Sequence, residues 1–140
     1  MRLLHPRFTV TAGAIVLDSK NRVLLLRHRF RLGSGWGIPG GFMEAGEQPV
    51  DAVKRELQEE VGLQIGSAEL AGARSLRHVR QVEILFLCNV PDAQLTVLKP
   101  NGSEVLEAQW FSTDSLPAGL PRDQETLLRD ILVYGAKRPG

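Results

Sequence analysis

Apolar residues fall along this chain first in short β-like runs, then at helical spacing, then in runs again, and last at helical spacing. The segments FTVTAGAIVL and RVLLLRHRF are rich in β-branched and aliphatic residues and flank the polar DSKN, which predicts a hairpin. Gly33, Gly35, Gly37, Gly40 and Gly41, with Pro39, make the next passage a loop unable to hold a long regular element. Pro49 suits the first turn of a helix, where its missing N–H costs nothing, and Gly62 suits the end, so a helix is expected from Pro49 to Val61. AELAGARSLRHVR and QVEILFLCNV read as two further strands, AQWFS as a short one, and RDQETLLRDILVYGAK as an amphipathic helix. Strands on both sides of a central helix, with a second helix at the end, imply an α/β fold, a sandwich of mixed β-sheets.

The central helix carries two stripes. Val50, Val53, Leu57 and Val61 recur at spacings of three and four and should face the core. Glu56, Glu59 and Glu60 stand at i, i+3 and i+4 and cover a neighbouring arc. Carboxylates that close repel one another by roughly 0.2–0.5 kcal/mol per exposed pair, so something cationic should offset them. Two readings stay open on charge alone: a hard divalent cation such as Mg²⁺ or Mn²⁺, which takes oxygen ligands, or a solvated acidic face neutralised by Arg55 and Lys54.

Composition narrows the partners. The 140 residues are 43% hydrophobic and 24% charged, the balance of one globular domain, and 17 Lys+Arg against 16 Asp+Glu leave a net charge of +1. No bulk field favours nucleic acid or an anionic membrane. The single cysteine, Cys88, lies in an apolar run and reads as a buried, inert thiol. The N-terminus lacks the apolar core of a signal peptide and no run approaches a membrane span of ~18 residues, so a cytoplasmic protein is expected.

The spacing of the acidic segment decides between the two readings. From Gly41, five residues lead to Glu47, seven more to Arg55, and REL, Q, EE, V and GL follow without a gap to Leu63. This resembles the signature box of the Nudix hydrolases at each fixed position: Gly41, Glu47, Arg55, Glu56, Glu59, Glu60 and Gly62, with Leu57 and Leu63 as its aliphatic positions. The box covers 23 of the 140 residues, and GWGIPGG resembles the usual lead-in. The resemblance implies a Nudix-type α/β/α sandwich and hydrolysis of a nucleoside diphosphate linked to another group X, by water attacking phosphorus with a divalent metal.

By the same resemblance Glu56, Glu59 and Glu60 are the expected metal ligands, with Mg²⁺ or Mn²⁺ as cofactor, and Arg55 with Glu47 is the expected orienting pair. Gly40 and Gly41 would let the backbone approach metal or phosphate, and Glu44 is either a ligand or an exposed loop charge. A base or further ligand often comes from a loop before a short strand with an aromatic pair. Here Glu104, or failing it Glu107, precedes Trp110 and Phe111, which read as core packing ahead of a base-stacking platform. Two other classes stand against hydrolysis. A non-catalytic Nudix-fold regulatory module would lose box glutamates, and a Nudix-fold isoprenoid diphosphate isomerase would want a cysteine in the site.

Substrate identity is less legible. Arg27, Arg29 and Arg31 alternate, so on a persisting strand they share a face and could meet phosphate, with Arg27 and Arg29 the chosen substrate-binding candidates. Arg74, Arg77, His78 and Arg80 form a second basic set, and either set can be a solvated edge. His5 and His28 have no partner at metal spacing and read as structural or exposed. The arrays that would mark the NADH, coenzyme A or ADP-ribose subgroups are not seen downstream of the box. The expected partner is a small nucleotide-diphosphate substrate, without membrane or nucleic acid, and a homodimer is left open.

Overall fold

The computed structural model describes residues 4–90 and 98–137. Strand β1 (Thr9–Leu17) and strand β2 (Arg22–His28) form the expected hairpin. Its turn is built by the buried Asp18, whose Oδ1 accepts the amides of Lys20 at 2.9 Å and Arg22 at 2.8 Å, while Asn21 takes the left-handed backbone that asparagine tolerates. The two strands then part. β1 meets β2 only at Leu17↔Val23, and farther along it pairs with β4 (Gly40–Phe42) over Thr11 to Gly13. β2 likewise turns to β3 (Trp36–Gly37) at Leu26 and Arg27.

Both strands are also paired on their outer edges. β1 pairs in parallel along its whole length with β6 (Gln81–Asn89), and β2 pairs antiparallel with β7 (Val105–Ser112). Each strand therefore has one edge left, and the glycine-rich passage feeds a short strand to each. This passage was expected to be loop, and two short strands are found in it because the open edges of β1 and β2 each accept one of them. β5 (Glu69–Leu76) closes the sheet on β6. Its run was expected to continue through Arg80. It ends in a 3₁₀ turn over Arg77–Val79, with Arg80 in the left-handed region. The strand expected as AQWFS begins earlier, at Val105, since β2 offers hydrogen bonds along its full length.

Helix α1 (Pro49–Val61) and helix α2 (Arg122–Lys137) have the expected bounds. Alternate residues of the central strands point to opposite faces, as strand geometry requires. Ala12, Ala14, Val16, Leu24 and Leu26 pack with Ala52, Val53, Leu57 and Val61 of α1. Ile15, Leu17, Val23 and Leu25 pack with Leu128 of α2. The sheet thus lies between two helices, the α/β/α order expected of the sequence. Cys88 is buried on the α1 side, and burial pushes its thiol up to about 12, so it is inert at neutral pH. Among the described residues no helix is long and apolar enough to cross a membrane.

Candidate active site

Helix α1 is fixed at both ends. Pro49 occupies its first turn, and Gly62, left-handed at φ 71°, donates its amide to Gln58 O at 3.0 Å. The apolar stripe then sets the rotation of the helix, and with it the depth of each glutamate. Glu60 is buried, with 2% of its surface exposed, whereas the side chain of Glu59 is 57% exposed and that of Glu56 16%. Three residues read as one acidic arc therefore occupy three environments.

Glu60 reaches into the fork between β1 and β2. Its Oε1 accepts the Gly40 amide at 3.1 Å, and its Oε2 lies 2.8 Å from Nε2 of His28. That nitrogen is buried and has no hydrogen-bond partner among the described residues, so the two groups are close without being aligned. Of the two alternatives read from the sequence, structural or exposed, His28 thus takes the structural one, set against the acidic helix. The last position of β2 delivers it, and strand pairing across the fork leaves no trace in local spacing.

The two glycines have different reasons. Gly40 has φ 148°, and a Cβ there would come within 2.4 Å of Ala12 O, because β4 lies tight against β1. Gly41 has no such backbone demand. A Cβ on it would stand 2.5 Å from Oε1 of Glu56, in the space that the carboxylate uses.

Arg55 gathers the remaining carboxylates. Its Nε and Nη2 donate to the two oxygens of Glu47 at 2.8 and 3.0 Å, a bidentate pair, and Nη2 also donates to Phe42 O at 3.1 Å. Nη1 donates to Glu56 at 3.0 Å and to Glu59 at 3.2 Å, and Glu44, largely exposed, stands 3.7 Å away. The Arg55 hydrogen bonds, with the Glu44 amide, hold the Glu47 carboxyl down at about 2, and the same partners hold the guanidinium above its usual value. Glu56 goes the other way: burial, and then the charge of Glu60, push its carboxyl above the usual range despite Arg55.

The loop carrying Glu104 is tied to the C-terminal end of α1. Lys99 N donates to Val61 O at 2.8 Å and Asn101 N to Glu60 O at 3.0 Å, so orphan carbonyls of the helix are satisfied. Asn101 Oδ1 in turn accepts the amides of Glu104 at 3.1 Å and Val105 at 2.9 Å. Glu104 is exposed at the start of β7. Glu107 lies within that strand, its Oε1 held by Arg27 Nε at 3.0 Å and Nη2 at 2.7 Å. Arg29 donates to the carbonyls of Ser103 at 3.0 Å and Gly102 at 3.3 Å. Arg27 is thus engaged by β7 and Arg29 by the loop that precedes it. Trp110 packs on the α1-side core, and Phe111 meets Trp36 edge to face at 5.1 Å, so the aromatic pair faces opposite sides of the sheet.

The donor set suits a hard divalent cation. All three expected ligands offer carboxylate oxygens, Gly41 leaves room for that of Glu56, and the upward push on Glu56 by burial and Glu60 is one that an added cation would relieve. As placed, no three carboxylate, imidazole or thiol groups among the described residues converge on one point. Arg55 holds Glu56 and Glu59, and Gly40 with His28 flanks Glu60. Binding would exchange those contacts for the ion.

The NUDIX domain model matches residues 7–131, which span the fork, the acidic helix and most of α2. The chain belongs to the Nudix family. It is 30% identical over 138 residues to the NAD-capped RNA hydrolase NudC of Pseudomonas aeruginosa, covering 98% of this chain and 48% of that protein. Over 136 residues it is 31% identical to the ADP-ribose pyrophosphatase of Methanocaldococcus jannaschii, covering 92% and 75%. The crystal structure of a NUDIX hydrolase from Nitrosomonas europaea superposes with a TM-score of 0.78 at 29% identity, covering 97% of this chain and 77% of that one. The chain spans about half the length of the first of these relatives. In this Nudix chain the signature segment is one mechanical unit, in which β4, a loop pinned by Arg55, and α1 place carboxylates along one side of the fork.

Proposed function

We propose that the chain is a metal-dependent Nudix pyrophosphohydrolase, cleaving the bond between the phosphates of a nucleoside diphosphate joined to a second group X. The observation that carries this reading is the buried Glu60, set beside Gly40 and His28 on an acidic helix face whose other two carboxylates, Glu56 and Glu59, are partly neutralised by Arg55. A carboxylate buried beside two others is costly unless a cation accompanies it, and the reaction needs that cation. Mg²⁺ or Mn²⁺, held by Glu56, Glu59 and Glu60, would neutralise charge on the phosphoryl oxygens and make bound water more acidic.

The side chains of this chain supply position. Arg55 and Glu47 keep the loop and helix in register, and the Gly40 amide fixes the direction of Glu60. Glu104, on a loop sewn to the last turn of α1, is the proposed group that takes the proton from the attacking water. Gly40 lets β4 lie tight on β1, and Gly41 leaves the space beside it to the Glu56 carboxylate. Electrostatic stabilisation of this kind is the larger share of phosphoryl-transfer catalysis.

ADP-ribose heads the substrate classes, since the archaeal relative that this chain covers for 75% of its length is named for it. A panel of ADP-ribose, NAD, nucleoside triphosphates and nucleotide sugars, assayed with Mg²⁺ and Mn²⁺ for release of a nucleoside monophosphate, tests the reading. A parent protein inert on the whole panel, under conditions in which it is folded, overturns it.

A further inference from the structure

Of the three alternating arginines, Arg31 alone turns inward. Arg27 is paired with Glu107 and Arg29 with two carbonyls of the loop before β7. Arg31 follows the end of β2, and its side chain folds back over Gly37, where a Cβ would overlap the guanidinium. Nη2 donates to Ile38 O at 2.9 Å and Nη1, at the limit, to Leu26 O at 3.5 Å. A guanidinium has five N–H donors in a rigid fork, so most remain unassigned. Among the described residues no carboxylate lies within ion-pairing distance of it. Glu83, which faces it, is already engaged by Arg74 at 2.6 Å. Burial lowers the pKa of the group against the pull of Glu60 and Glu83, though not enough to discharge a guanidinium.

The position is as informative as the missing partner. Arg31 holds Ile38 O, Glu60 holds Gly40 N, and Glu56 occupies the space over Gly41, so three charged side chains meet one short backbone segment, Ile38 to Gly41, that bends at Pro39. Gln124 of α2 reinforces the Arg31 end: its Oε1 accepts the Ile38 amide at 2.9 Å, which leaves its NH₂ beside the same bare Gly37.

The geometry points to Arg31 as the side chain that binds the diphosphate of the substrate from the side of the fork opposite the glutamates. Once a cation takes up the charge of Glu60, the carboxylate that still faces the guanidinium is Glu83, already paired with Arg74, and a phosphate offers a counter-charge in the bidentate shape that the fork fits. This rests on the hydrolase reading and names the cation that anchors its substrate. The competing explanation is that Arg31 only pins the segment through two carbonyls.

The test uses inorganic pyrophosphate with Mg²⁺, titrated calorimetrically into the parent, Arg31→Gln, Arg31→Lys and, as a control for loss of one exposed charge, Arg129→Gln. The expected result is binding weakened about tenfold or more in Arg31→Gln, less in Arg31→Lys, and unchanged within about twofold in Arg129→Gln, with KM for the hydrolysed nucleotide raised by a similar factor and kcat little moved. If Arg31→Gln does not fold, Arg31→Lys decides, because an ammonium keeps the charge and loses the fork. Pyrophosphate affinity and KM equal to the parent's in a folded variant, or a parent that binds no pyrophosphate, overturn the assignment. A parent that binds pyrophosphate through Arg31 yet hydrolyses nothing on the nucleotide panel would leave it standing and remove the hydrolase reading instead.

Discussion

Arg55 grips Glu47 with two parallel hydrogen bonds, Nε to Oε2 at 2.8 Å and Nη2 to Oε1 at 3.0 Å, across eight residues of sequence. The same guanidinium reaches Phe42 O, Glu56 and Glu59, so one planar group ties β4, the loop and the helix together. An ammonium is a point charge and cannot hold these directions at once. Arg55→Lys is therefore expected to fold, and to lower kcat by about 10- to 100-fold, the usual effect of losing a partner that orients ligands. Steady-state kinetics beside circular dichroism would check this, and near-parental kcat would show that the fork geometry is dispensable.

The Glu47 and Glu56 carboxyls should leave opposite marks on stability against pH. Glu47 titrates at about 2 in the folded chain, below its ordinary 4.5, so its contribution is complete above 4.5 and is lost as pH falls towards 2. Glu56 is pushed upward by burial and by Glu60, so ionising it opposes folding, and the penalty grows as pH rises above 4.5. Urea midpoints measured from pH 2 to 8 should show the advantage of the parent over Glu47→Gln shrinking in acid. Glu56→Gln, without metal, should gain on the parent as pH rises. A parent and a Glu56→Gln variant that keep a constant gap across that range would contradict the crowding of Glu56 by Glu60.

What the sequence made legible was local. The bounds of both helices follow from Pro49, Gly62 and the apolar periods, and the Glu47–Arg55 pairing was implied by the resemblance of 23 contiguous residues to the Nudix signature. What it hid depends on strands that meet across the fold. His28 and Arg31 reach the fork only because β1 and β2 separate after one residue pair, their facing edges being paired with β4 and β3 instead. Nothing near His28 in sequence marks that separation. Asn101 had a faint signal, the NG dipeptide of a turn, but its bond to the helix end is tertiary. Alternation put Arg27, Arg29 and Arg31 on one persisting strand, but β2 ends at His28, so Arg29 and Arg31 lie beyond it, and local spacing could not show that β7 holds Arg27 while the loop before β7 holds Arg29.

Glu60→Gln separates the charge of Glu60 from its shape. The amide oxygen of glutamine can still accept the Gly40 N–H, so the buried position remains filled and the chain should fold. With one charge removed from an electrostatic site, kcat should fall by about 10²-fold or more. The parent should also melt higher in Mg²⁺ than in EDTA, with a gain near 2.7 kcal/mol when the ion is at about 100 times its Kd, and the variant should gain less. A loss of activity under about threefold, with an undiminished melting shift, would exclude Glu60 as a primary ligand.

Gly40 and Gly41 are adjacent, yet alanine should fail at them for different reasons. At Gly40 a methyl group would meet the Ala12 carbonyl in a backbone conformation, φ 148°, that side chains rarely adopt. Neither the sheet backbone nor the torsion can yield cheaply, so Gly40→Ala should lose about 1–3 kcal/mol of stability and lower activity along with it. At Gly41 the obstacle is the end of the Glu56 side chain, which can swing aside. Gly41→Ala should therefore stay within about 1 kcal/mol of the parent in urea melts while binding Mn²⁺ more weakly, because the displaced carboxylate no longer points where the ion would sit. Paramagnetic titration of Mn²⁺ into both folded variants measures this directly. Unchanged Mn²⁺ affinity in Gly41→Ala would mean that Glu56 reaches the ion from another rotamer, and the glycine there would then have to be explained by the approach of substrate alone.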